Sequence, residues 1–246
     1  MIRHIPNAIT GLNLLSGAVA VLFAVSGDLI AASVFIVLGI FFDFFDGLAA
    51  RKLNATSDIG LQLDSLADMI TCGLAPGLVM VQLLSGATLG QAFHVYWDPA
   101  NADVHPTGFD LYLPLFGLLI SLGAAYRLAR FNVDTRQTSS FIGLPTPANA
   151  LLIISLPLIL EFQYSDWAES LLLNPWFLMA VTVLSVVLMN AEMALFGLKF
   201  KTWDWASNKK RYLFLILSVL LLLLLKFAGI PAVLLLYILM SLFSKD

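Results

Sequence analysis

The sequence predicts an all-α fold, a polytopic membrane helix bundle of about eight transmembrane helices with both termini cytoplasmic. Three observations predict it. Hydrophobic residues make up 60% of the 246 positions and charged residues only 12%, against roughly a quarter charged in an ordinary soluble domain. The mean hydropathy is +0.91, and the apolar residues gather into runs near the length that crosses a bilayer, about 20 residues per span. The few cations, finally, fall almost entirely on one side of those runs.

The runs lie at 11–26, 29–49, 64–85, 110–130, 146–162, 174–192, 211–226 and 229–243. Pro6-Asn7 makes a helix start for the first. Its end at Ala24-Val25-Ser26-Gly27 has the outline of a signal-peptide cleavage site. Further spans follow at once, so the run reads as an anchored first span. The last two runs are divided only by Lys226-Phe227-Ala228-Gly229-Ile230-Pro231, where glycine and proline favour a tight turn. The chain reads as a single membrane domain over 1–246.

With the amino terminus cytoplasmic, Arg3, Arg51, Lys52, Arg127, Arg130, Arg136, Lys199, Lys201, Lys209, Lys210, Arg211 and Lys245 share one side, and only Lys226 falls on the other. The opposite loops, around Asp28, at 86–109 and at 163–174, hold no Lys or Arg. The positive-inside rule then puts both termini in the cytoplasm. Tyr96, Trp97, Tyr164, Trp167, Trp176, Trp203 and Trp205 fall near span ends, where amphipathic rings suit the headgroup layer. A net charge of -3 with scattered short basic clusters argues against a nucleic-acid partner. The single cysteine, Cys72, excludes an intrachain disulfide and a cysteine metal cluster.

Against this apolar background four carboxylates stand out. Asp43 and Asp46 are three residues apart at the end of the second span, and Asp64 and Asp68 are four apart at the start of the third. Each pair therefore projects from one side of its helix, and an antiparallel hairpin brings the pairs together. An ionised Asp within a span costs about 2.5–3.5 kcal/mol, so four cost on the order of 10 kcal/mol before interfacial relief. Cations between them would relieve the mutual repulsion, and all-oxygen donors favour hard ions such as Mg²⁺ or Mn²⁺. Intramembrane carboxylates also line cation transporters. Glycines beside the carboxylates and the phosphate-matching fork of Arg51 favour a ligand site over such a path. Asp28 and Asp58 read as helix caps or solvated surface.

Asp43, Asp46, Gly47, Ala50, Arg51, Gly60, Asp64 and Asp68 resemble the signature of the CDP-alcohol phosphotransferases, D-x-x-D-G-x-x-A-R-x(8)-G-x(3)-D-x(3)-D, at every fixed position. Chance agreement at average residue frequencies is on the order of 10⁻¹⁰ per starting position. The resemblance implies a six-helix catalytic core over 1–192, usually dimeric, with a cavity open to the cytoplasm. It leaves 193–246 as a basic loop and two additional helices. It also implies two divalent ions, Mg²⁺ or Mn²⁺, on Asp43, Asp46, Asp64 and Asp68, with Asp68 the general base. Asp46, Arg51 and Ser57 would meet the CDP-diacylglycerol phosphates, and Gly47, Ala50 and Gly60 would leave room for the nucleotide. Asn7 would close that pocket.

The signature does not name the acceptor alcohol. Arg127, Arg130, Phe131 and Asn132, followed by Gly143-Leu144-Pro145-Thr146-Pro147, resemble the R-x-x-R-F-N and G-L-P-x-P stretches of the bacterial and archaeal membrane-embedded phosphatidylserine synthases. That resemblance implies L-serine as acceptor and phosphatidylserine and CMP as products, at the cytoplasmic face of the cell inner membrane. The arginines could take the serine carboxylate, and Asn132, Asp134 or Asn149 could help with its ammonium. They could equally be positive-inside residues meeting lipid headgroups. Glycerol 3-phosphate or an inositol phosphate is the alternative acceptor.

Overall fold

The computed structural model describes residues 4–93, 112–133, 141–197 and 204–242. The first two helices, α1 (Ile5–Val25) and α2 (Leu29–Lys52), pack as a hairpin. On α1 the buried residues Pro6, Thr10, Asn13, Gly17, Ala20 and Ala24 recur at alternating steps of four and three. On α2 the same rhythm runs through Ala32, Ile36, Gly39, Asp43 and Asp46, all buried except the half-buried Asp43. Small side chains along both stripes let the backbones approach, which is how helices gain packing energy where lipid removes the hydrophobic drive. The stripe on α2 ends in carboxylates, so Asp43 and Asp46 face the bundle interior rather than lipid. Asp28 caps α2, its Oδ1 accepting from the Ala31 N–H at 2.9 Å.

A short turn leads into the third helix. Asn54 adopts a left-handed backbone (φ 48°), which Asn tolerates better than most residues, and Ser57 caps α3 (Asp58–Asp68) by accepting from the Gly60 N–H at 3.0 Å. Directly after Asp68 the helix widens into a π-helical stretch, Met69–Leu74, before continuing as α4 (Ala75–Leu89). The periodicity of the sequence did not announce this widening, which coincides with close tertiary contacts. Thr71 is wedged into the groove between α1 and α2: a Cβ on Gly17 would sit 2.2 Å from its Oγ1, and one on Gly39 2.4 Å from its Cγ2. The Thr71 hydroxyl donates to the Asn13 carbonyl at 3.1 Å. A carbonyl of the wide turn, that of Gly73, accepts from Ser121 at 3.1 Å. Side-chain partners of this kind make irregular helix tolerable at membrane depth.

Ser121 belongs to α5 (Leu119–Val133), which continues a 3₁₀ turn at Leu113–Leu118. Beyond it come β1 (Phe141–Ile142), α6 (Thr146–Phe162), α7 (Asp166–Leu172), α8 (Pro175–Asn190), β2 (Ala194–Leu195), α9 (Trp205–Leu225) and α10 (Gly229–Leu242). Strands β1 and β2 form an antiparallel pair of two residues each, Phe141 opposite Leu195 and Ile142 opposite Ala194. The pair and the seven-residue α7 were absent from the sequence expectation. Lys226 takes a left-handed backbone (φ 49°), and the Phe214 and Tyr237 rings meet at 5.5 Å. The chain therefore doubles back between α9 and α10.

Five helices among the described residues are long and apolar enough to cross a membrane, or six when α7 and α8, bent by 61°, count as one span. The helix α6 is a shorter apolar one, and the run 208–242 counts once although it folds back. These two features separate that count from the eight expected spans. The termini, with Arg3 and Lys245, lie outside the described residues, as do Tyr96, Trp97, Asp134, Arg136, Lys199, Lys201 and Trp203.

The glycine seats of Thr71 make a direct prediction. Gly17→Ala should destabilise the protein by about 1–3 kcal/mol, because the added methyl meets Thr71 backbone as well as side chain. Gly11→Ala, with nothing within 4 Å, should leave the midpoint of thermal unfolding in detergent unchanged.

Candidate active site

The ends of α2 and α3 bring the carboxylates together. Ligand oxygens of Asp43, Asp46 and Asp64 all lie within 4.8 Å of one another. Asp46 Oδ2 and Asp64 Oδ1 are buried and meet no hydrogen-bond donor among the described residues. Asp68 is buried too and lies within electrostatic reach of the other three. One of its oxygens, Oδ1, accepts from Asn13 Nδ2 at 3.2 Å. The four-carboxylate cluster thus divides into a close trio and a fourth member steadied from α1. Buried acceptor oxygens with no donor, in an all-carboxylate set, fit a hard divalent cation.

A cavity of about 380 Å³ opens beside the trio. Asn7, Asp46, Gly47, Ala50, Arg51, Ser57 and Gly60 all line it, as do Asp64, Thr10 and Thr56. Every residue expected around the nucleotide therefore faces one space. Gly60 shapes it: a Cβ there would lie 3.1 Å from both Asn7 Oδ1 and Ser57 Oγ, so its absence lets the amide and the cap approach. Asp58, expected as surface or cap, lies in the first turn of α3, is exposed, and also lines the cavity.

The residues expected around the acceptor are placed differently. Arg127 is buried on α5, its Nε without a partner among the described residues, its guanidinium 5.9 Å from the Phe131 ring and within electrostatic reach of Asp68. Arg130 is engaged elsewhere, in an ion pair with Glu192 at 2.5 Å. Asn132 is paired with Ser65, donating to its hydroxyl at 3.0 Å and accepting from it at 3.2 Å. Gly143 needs its positive φ of 73°, since a Cβ would sit 2.4 Å from the Met189 carbonyl. Pro145 starts α6. One turn into that helix, Asn149 is fully buried with both amide atoms unpartnered among the described residues, and the same holds for the Thr146 hydroxyl.

A family model described as CDP-alcohol phosphatidyltransferase matches residues 3–187. The chain belongs to the CDP-alcohol phosphatidyltransferase family. It is 33% identical over 168 residues to the CDP-diacylglycerol–serine O-phosphatidyltransferase of Bacillus subtilis, covering 66% of this chain and 78% of that protein. To the CDP-diacylglycerol–serine O-phosphatidyltransferase of Mycobacterium tuberculosis it is 31% identical over 229 residues, 89% of this chain and 68% of that one. To the archaetidylserine synthase of Methanothermobacter thermautotrophicus it is 33% identical over 153 residues, and there the chain spans only 56% of its relative. The match to the CDP-alcohol phosphatidyltransferase model runs from the start of α1 almost to the end of α8, and β2, α9 and α10 lie beyond it.

Asn13, Thr10 and Thr71 were not among the residues expected at the site. A signal for the first two was present: polar residues sit on the otherwise small stripe Pro6, Thr10, Asn13, Gly17, at steps of four, three and four. Asn13→Ala should lower turnover by roughly tenfold, on the scale of a lost hydrogen bond to a charged group. The KM for CDP-diacylglycerol should stay near that of the parent, since Asn13 does not line the cavity.

Proposed function

We propose that this chain transfers the phosphatidyl group of CDP-diacylglycerol to the hydroxyl of L-serine, giving phosphatidylserine and CMP. The observation that carries the reading is the cavity that gathers Asn7, Asp46, Gly47, Ala50, Arg51, Ser57 and Gly60 beside three clustered carboxylates. Serine is supported by the names of the Bacillus subtilis and Mycobacterium tuberculosis relatives.

Arg51, at the cavity wall, pairs with the pyrophosphate oxygens, and Ser57 keeps a hydroxyl proton to donate while its oxygen caps α3. Gly47, Ala50 and Gly60 leave space for the cytidine, with Asn7 beside them. Asp43, Asp46, Asp64 and Asp68 would hold two divalent ions, Mg²⁺ or Mn²⁺, which when bound neutralise the pyrophosphate and polarise the phosphate that carries the lipid. Asp68 takes the proton of the serine hydroxyl as that oxygen bonds to the lipid-bearing phosphorus and the bond to CMP breaks. Asn13 orients Asp68 by donating to one oxygen, so the other faces the reacting hydroxyl. Arg127 takes the serine carboxylate, with Asn149 for the ammonium; Arg130 and Asn132 act by holding α5 in place through Glu192 and Ser65. The loop Gly143–Pro145 fixes the start of α6 and so the position of Asn149.

The cation distribution supports a cytoplasmic site in the cell inner membrane, with both termini cytoplasmic and eight spans when α6 and both halves of the C-terminal hairpin are counted. The reading includes a homodimer, a six-helix core over 1–192 and a C-terminal addition over 193–246.

Purified protein given CDP-diacylglycerol, Mn²⁺ and labelled serine should release CMP in step with labelled phosphatidylserine. CMP release with glycerol 3-phosphate or an inositol phosphate but not with serine would replace the acceptor. Metal flux into liposomes without turnover of the CDP-lipid would replace the enzyme class. Asp68→Asn should lose turnover by several orders of magnitude while retaining CDP-diacylglycerol binding; near-parental turnover would remove it as the base. Arg127→Lys should raise the serine KM by about tenfold or more, because the fork geometry is lost. Arg130→Lys should raise it far less.

A further inference from the structure

The C-terminal hairpin lies beyond the stretch that defines the family, yet it is tied into the bundle at both ends. At its turn the Gln163 side chain donates to the Leu225 carbonyl at 3.0 Å and accepts from the Ala228 N–H at 3.1 Å. At its open end Tyr237 donates to the Phe196 carbonyl at 3.0 Å, and Arg211 Nε donates to the Gly197 carbonyl at 2.9 Å. The rings of Phe196, Phe214 and Tyr237 pack within 5.1 to 5.6 Å of one another.

Phe196 follows β2 directly, and β2 pairs with β1. The ladder continues into the next residue, where the Gly143 N–H donates to the Met193 carbonyl at 2.9 Å. A two-residue strand pair is too short to hold its own register, since even longer isolated hairpins are marginal in water. It needs support from outside: on the β1 side the Leu144 N–H donates to the Leu188 carbonyl of α8 at 2.8 Å, and on the β2 side the hairpin supplies support one residue away. A phenylalanine at 237 would fill the same space between Phe196 and Phe214; the hydroxyl adds only the tie to the carbonyl.

We infer that the C-terminal hairpin is a brace for the Gly143–Pro145 loop, with Tyr237 the positioning residue that sets acceptor affinity through Phe196, β2 and β1. The inference rests on the reading of that loop as part of the acceptor site. Tyr237 touches neither substrate; its effect travels along the backbone of two strands. Donor binding, housed between α1, α2 and α3, is independent of the brace.

The test is steady-state kinetics on full-length Tyr237→Phe, varying serine and CDP-diacylglycerol separately. The serine KM should rise about fivefold, the scale of one lost hydrogen bond, with kcat and the CDP-diacylglycerol KM within about twofold of the parent. Ile142 and Ala194 stand opposite each other in register, so Ile142→Cys with Ala194→Cys can lock the strands by a disulfide. Oxidation of that pair in the Tyr237→Phe background should return the serine KM toward the parental value, and reduction should undo the rescue. An unchanged serine KM, an equal rise for both substrates, or a rise that the cross-link does not reverse overturns the inference. Failure of the parent chain to use serine at all defeats the serine reading instead. The same comparison is then made with whichever acceptor releases CMP, and its KM decides the brace by the same criteria.

Discussion

Several carboxylates must share a small volume inside an apolar bundle, where each has lost hydration and each repels the others. The rest of the architecture answers to that constraint. Asp43 and Asp46 face inward because they close a stripe of small residues on α2, and Asp64 is brought opposite by the short turn through Asn54. Among the described residues, buried oxygens of Asp46 and Asp64 meet no donor, which leaves the cluster electrostatically incomplete. Relief of that repulsion requires a proton or a cation, and an all-oxygen donor set suits a hard cation.

Asp68 shows how finely that packing is adjusted. Three residues past it, Thr71 packs against Gly17 and Gly39 so closely that a Cβ on either glycine would collide with it. The π-helical stretch starts at the residue after Asp68, and π-bulges of this kind are common at functional sites. The hydroxyl of Thr71 and the carboxylate of Asp68 both bond to Asn13, one to its backbone and one to its side chain. The first span thereby holds the third in rotation as well as in depth. The opposite side of the site is joined to the same helix, since Asn132 on α5 pairs with Ser65, between Asp64 and Asp68.

Much of this was legible in the sequence. The expected span at 146–162 coincides with α6, and the other boundaries fall within a few residues of the helices except at three starts. The first, third and seventh spans begin six residues early, the first because α1 already starts around Pro6-Asn7. At the third the cause is Ser57, whose cap starts α3 ahead of the apolar run; at the seventh, α9 begins with polar residues and a kink at Asn208. The carboxylate pairs were readable because spacing along one helix fixes which side chains share a face, whereas the cavity lining was expected from the family resemblance alone. The acceptor side was not readable, because Arg130 and Asn132 look the same in sequence whether they await a ligand or are already paired. Glu192 and Ser65 decided that, and neither stands near its partner in the chain.

The sequence by itself determined the membrane class, the inward face of α2 and α3 and the acidic motif, because hydropathy and helical periodicity are local properties. Only the tertiary structure decided which amide steadies Asp68, where the helix widens, and how the C-terminal hairpin reaches the loop before α6. Those outcomes depend on hydrogen bonds between residues 55 apart for Asn13 and Asp68, 58 apart for Asn13 and Thr71, and 41 apart for Tyr237 and Phe196. Contacts at such separations leave no periodic trace in a single chain, and they form only when packed helices bring a donor within reach of an acceptor in a medium that offers neither group water.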